Sequence, residues 1–140
     1  MRFMVIVRAT TDSEAGKLPS TALLEAMGKY NEALAAAGVL VSAEGLHASA
    51  KGARVKFSGA TRSVTNGPFD VAGLIAGFWI FEVKSKEEAI DWVKKCPNPF
   101  EGESEIEIRQ IFASEDFGDN LTPAVKEQEE RLRAQGAAKR

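Results

Sequence analysis

The chain predicts an α+β fold whose core elements run β-α-β-β-α-β, with a hairpin inserted in the middle and one more helix at the end. Three observations carry this. Residues 2–8 and 74–83 read as strands with apolar side chains on both alternating faces. Two stretches, opening near Ser20 and at Ser85, join a capping side chain to apolar positions at helical spacing. Residues 105–112 alternate charged and apolar side chains with period two, a final strand.

The first strand places Phe3, Val5 and Val7 on one face and Met4 and Ile6 on the other. Residues 9–19 are rich in Thr, Asp, Ser, Gly and Pro and read as a surface loop. Ser20 or Thr21 caps a helix with Leu23, Leu24, Met27, Tyr30 and Leu34 on its apolar stripe, and Gly38 stops it. Residues 39–47 form the second strand, with a bulge or close backbone approach expected at Gly45. Residues 53–58 alternate cleanly, as a strand with one wet face does, and a short piece around 62–65 follows. Asn66-Gly67-Pro68 is a turn into the strand at 74–83, where Phe78 and Ile80 oppose Trp79, Phe81 and Val83. Ser85 and Glu88 make a capping box for a helix with Ala89, Ile90, Trp92, Val93 and Cys96 inward, ended by Pro97 and Pro99. Thr122-Pro123 opens a last helix to about Gln135, thinly striped by Leu121, Val125 and Leu132; Gly136 to Arg140 is expected to fray.

Without the hairpin this is the split-βαβ, ferredoxin-like order, with both helices on one face of an antiparallel sheet. The other face would then show an apolar patch of several hundred Å², which monomers rarely do. The expectation is a two-fold homodimer, an α/β barrel built from two sheets face to face.

Composition bounds the function. A net charge of −2 over 140 residues argues against a nucleic-acid surface. No apolar run approaches the roughly 20 residues of a membrane span, and residues 1–8 are too short for a signal region, so the cytoplasm is the default compartment. One cysteine, Cys96, and one histidine, His47, make neither a disulfide nor a metal site, and no phosphate loop or dinucleotide fingerprint points to a cofactor.

His47 is the natural general acid/base, weighed against an idle strand-end histidine. Glu44 would face away from it unless a bulge at Gly45 re-aims it. Arg8, Arg54 and Arg109 are strand arginines able to hold a carboxylate or phosphate, although Arg109 beside Glu107 also suits a structural pair. Glu82, on the face of Phe78 and Ile80, calls for an arginine partner or a role. Trp79 is a core residue or a pocket wall, Asn66 opens the turn, and both join Glu44 and the three arginines as candidate ligand-binding residues.

Val39–Leu46 with His47, Gly67-Pro68-Phe69, Ala76–Trp79, Ser85–Pro97 and Ile106–Arg109 together resemble the YCII-related proteins, of the branch named for a DGPF motif. The resemblance spans residues 1–120 as a ferredoxin-like domain, leaving 121–140 as a helix and tail that pack on the domain or the partner subunit. It implies a dimeric α/β barrel, a cleft between sheet, helices and partner, a His/Asp active site in some members, and, since members of that branch are often encoded beside extracytoplasmic-function sigma factors, a sigma-factor-linked partner. It brings no established reaction. Asn66 stands where the motif has Asp, and Asp70-Val71-Ala72-Gly73 replaces a longer acidic and Lys-Glu stretch, so ionisable groups are lost from that loop. Two functions follow: a dimer binding a small acidic metabolite, or a cofactor-free, isomerase- or lyase-like enzyme with His47 as acid/base. A sigma-factor-linked regulatory module is the variant of the first.

Overall fold

Four strands, β1 (Arg2–Arg8), β2 (Leu40–Gly45), β5 (Ile75–Glu82) and β6 (Ile106–Gln110), form one antiparallel sheet in the order β2-β5-β1-β6. The computed structural model describes residues 1–138, in two compact units divided between Gln110 and Ile111. The sheet order and two helices on one face are compatible with the ferredoxin-like arrangement.

In the first unit, helices α2 (Thr21–Ala36) and α3 (Lys86–Lys94) cover one face of the sheet. Beneath them lie Phe3, Val5 and Val7 of β1 with Trp79 and Phe81 of β5, against Tyr30, Leu34 and Ala89. Leu24, placed on the α2 stripe by the sequence, points outward and is 58% exposed. Ser20 caps α2 by accepting the Leu23 N–H. Its end is a Schellman closure: the Gly38 N–H donates to Ala35 and the Val39 N–H to Leu34, with Gly38 at φ 72°. At α3 the expected capping box forms by half. Ser85 accepts the Glu88 N–H, but the Glu88 carboxylate takes the Lys84 N–H instead of that of Ser85.

Three further expectations need correction. Residues 9–19 are not all loop: Thr11–Glu14 is a short helix, α1, closed by a reciprocal Thr10–Ser13 box that hydropathy cannot reveal. The β2 irregularity falls at Val41, between Leu40 and Ser42, and not at Gly45. The close approach also lies elsewhere, at its partner Gly77, where a Cβ would sit 2.7 Å from the Glu44 carbonyl oxygen, whereas a Cβ on Gly45 would meet nothing within 4 Å. Residues 53–66 make a complete two-stranded ribbon, β3 (Ala53–Ser58) with β4 (Thr61–Asn66), separate from the sheet. Its faces are polar and apolar as the alternation implies, but both are wet: Val55, Phe57 and Val64 are 50–69% exposed.

In the second unit two 3₁₀ turns span Ser114–Asn120, broken at Gly118, and Phe112 stacks on Phe117 at 5.0 Å. Helix α4 (Pro123–Ala138) starts with Thr122 accepting the Val125 N–H. It runs past the expected stop at Gln135, so residues 136–138 are helical; the rest of the expected frayed end, 139–140, lies outside the described residues. Among the described residues no helix is long and apolar enough to cross a membrane.

Burial raises the Tyr30 phenol pKa, with the Cys96 thiol adding to the shift, and the hydroxyl donates to the Trp92 carbonyl. Burial also pushes the Cys96 thiol up to about 11. The folded state therefore holds its proton longer than the unfolded chain, and this contribution to stability is present below about pH 9 and lost as pH rises through about 11. Iodoacetamide at pH 8 should alkylate native Cys96 at least about tenfold more slowly than the urea-unfolded chain. Leu34→Ala, at a side chain with no exposed surface, should cost about 2–5 kcal/mol in urea denaturation.

Candidate functional site

Strand register sorts the side chains before any contact is considered. Met4 lies opposite Ile80 and Ile6 opposite Phe78, so these four form an apolar strip on the face opposite α2 and α3, each half-buried. On the β2 margin of the strip are Ser42 and Glu44, and on the β6 margin Arg109 and Glu107. Glu107 is shared: Arg8 Nη1 is 3.2 Å from its Oε1 and Arg109 Nη1 is 3.3 Å from its Oε2. The expected Arg109–Glu107 pair is therefore present, with Arg8 as a second claimant. Glu82, expected to meet an arginine, lies 3.5 Å from the Met1 amino group.

The same register gathers several segments at one end of the sheet. Arg8 pairs with Ile75, the Ala9 N–H donates to Leu74, and the Leu46 N–H donates to Ala76. The end of β1, the end of β2 and the start of β5 therefore meet there. An open groove of about 760 Å³ lies beside Arg8, bounded by Thr10, Val71, Asn98, Glu103 and Glu105. His47 follows β2 at this end, exposed, and Glu44 faces Phe78. With the bulge at Val41 instead of Gly45, nothing turns Glu44 towards His47. Among the described residues neither is in an ion pair.

The tightest polar knot at this end uses residues the sequence reading did not single out. The Glu14 carboxylate accepts both the backbone N–H of Ser49 (3.0 Å) and its hydroxyl. Ser49 Oγ in turn accepts the Phe69 N–H at 2.9 Å. Gly67, joined to Pro68 by a cis peptide bond, seats directly on Ser49, where any Cβ would collide with the Ser49 carbonyl. Its N–H donates to Gly52 and closes the foot of the ribbon. The ring of Phe69 carries the Arg54 guanidinium at 3.9 Å from its centroid. Asn66 is the last residue of β4, exposed and opposite Ala53. The small residues around Ser49 gave no periodic signal; only the Gly67-Pro68-Phe69 turn pointed here.

Trp79 stands apart from both places. It faces the helices, 7% exposed, with its indole N–H donated to Asn31 Oδ1 at 2.8 Å and its ring edge-on to Tyr30. Among the described residues no group of three or more His, Cys, Asp or Glu side chains could hold a metal ion.

A family model described as the YCII-related domain matches residues 1–114, most of the chain. No curated protein matches the sequence at a significant level.

Removing the Ser49 hydroxyl leaves the Phe69 N–H without its acceptor and takes one donor from Glu14. Ser49→Ala should therefore destabilise the protein by about 1–3 kcal/mol in urea denaturation. Amide exchange at Phe69 should speed up in the same variant.

Proposed function

The chain belongs to the YCII-related family, and on that premise we propose that it is a homodimer binding a small acidic metabolite over the sheet face opposite α2 and α3. The observation that carries this reading is the make-up of that face. Met4, Ile6, Phe78 and Ile80 form a strip for non-polar surface, and Arg8 and Arg109 stand at its margin on one carboxylate, Glu107. Two guanidinium groups against a single carboxylate leave a net positive charge, and their forked donors suit an incoming carboxylate. A two-layer protomer leaves its second sheet face without helices, and a second copy is the cover that two-fold symmetry supplies. The exposed Val55, Phe57 and Val64 of the ribbon add apolar surface for the same partner.

A cofactor-free enzyme is the second reading. It is favoured by the place of His47, exposed at the end of the sheet that also holds Arg8 and two residues from Ser49 in the Glu14–Ser49–Phe69 knot. There it would act as general acid/base on a bound acid.

Light scattering should return twice the 15.1 kDa mass of the chain, and a stable monomer would sink the dimer reading. In thermal-shift titrations with mono- and dicarboxylates, Arg8→Gln with Arg109→Gln should weaken binding at least about tenfold. Unchanged affinity would remove the sheet face as the site. Turnover of a binding acid that survives His47→Ala intact would end the enzymatic reading.

A further inference from the structure

Charge is unevenly spread along the chain. Between Glu44 and Asp70 there is no Asp or Glu, whereas Lys51, Arg54, Lys56 and Arg62 all fall there. By register Arg54 opposes Thr65 and Lys56 opposes Ser63, so these four side chains share the polar face of the ribbon. Among the described residues neither Arg54 nor Lys56 is in an ion pair, unlike Arg8 and Arg109. A hollow of about 510 Å³ is lined by Arg54, Lys56, Thr65 and Phe69 together with Val55.

Arg54 is held in a way that leaves its donors available. Its guanidinium lies over the Phe69 ring, an arrangement that uses the flat face of the group and leaves its in-plane N–H edge open. The platform is itself anchored, because Ser49 Oγ accepts the Phe69 N–H and Glu14 holds Ser49 by two hydrogen bonds. We propose that this hollow at the foot of the ribbon is a phosphate site, taking the phosphoryl group of a small phosphate monoester. The Arg54 fork takes two oxygens, the Lys56 ammonium the third, and the Thr65 hydroxyl adds a donor. Two cations with no internal counter-charge match a phosphate dianion with three acceptor oxygens better than a carboxylate with one charge and two. Glu14 and Ser49 are positioning residues that act through Phe69. This site is independent of the sheet-face reading and stands or falls without it.

Phosphorus NMR titration of the full chain at fixed ionic strength tests it, with phenyl phosphate and inorganic phosphate as probes and benzoate as competitor. Saturable binding is expected, with phenyl phosphate at least about tenfold tighter than benzoate. Arg54→Gln and Lys56→Gln should each weaken it at least about tenfold. Arg54→Lys should not restore it, because lysine keeps the charge but lacks the planar fork. Ser49→Ala should raise the dissociation constant several-fold without changing the ratio of phosphate to benzoate affinity. Arg109→Gln should leave phosphate binding as it was, which separates this site from the sheet face. Tighter binding of phenyl phosphate than of inorganic phosphate supports the monoester as source, and equal binding supports the free anion on the same donors. Arg54 and Lys56 are exposed, and circular dichroism of each variant confirms that it folds. The proposal is overturned if benzoate competes equally or if Arg54→Gln binds as the parent does. Displacement of phosphate by a short single-stranded RNA at lower concentration and with a steep salt dependence would overturn it too, as the mark of a general polyanion surface.

Discussion

The registration of β1 between β5 and β6 is the constraint on which the rest of the first unit depends. Side chains on a strand alternate with period two, so a slip of one residue would exchange the two faces of β1. Arg2, Met4, Ile6 and Arg8 would then lie under the helices, and Phe3, Val5 and Val7 would face outward. Burying two arginines without partners is far more costly than any local gain could offset. The largest fully buried side chains, Phe81, Leu34 and Val5, lie within the cluster that this pairing assembles. The pairing also aligns the strand ends around the candidate site, because Arg8 opposite Ile75 brings the exit of β1 to the entry of β5.

Much of this architecture is written in local patterns. Both doubly apolar strands, the Ser20 and Ser85 caps and the Gly38 stop are visible because each has a short-range physical cause. The elements that escape notice leave no mark in the hydropathy pattern. Helix α1 holds Thr11, Asp12, Ser13 and Glu14, with no apolar position to betray a period, and it exists through reciprocal side-chain capping. Strand β4 carries a single large apolar residue, Val64, and is a strand because β3 pairs with it. The distortion in β2 sits at a valine, where no glycine announces it.

For the candidate site, residue type was legible and partnership was not. Arg8, Arg54 and Arg109 stand out as strand arginines and the Arg109–Glu107 pair is suggested by spacing, yet nothing in sequence adds Arg8 to that carboxylate or stacks Arg54 on Phe69. Glu14 and Ser49 are 35 residues apart and join only because α1 and the 3₁₀ turn at Ser49–Lys51 meet in space. Trp79 shows the reverse. An aromatic on a strand suits either a core or a pocket, and only Asn31, 48 residues away on α2, reveals where its indole nitrogen goes.

The β3–β4 ribbon shares no hydrogen-bonded ladder with the four-stranded sheet; its foot is closed by the Gly67–Gly52 hydrogen bond and seated on Ser49. A residue pair added or deleted near its tip at Gly59 and Ala60 would thus lengthen or shorten the projection without disturbing how the core strands align. Its reach is a free variable of the architecture, open to drift or to engineering, while the ground it stands on is not.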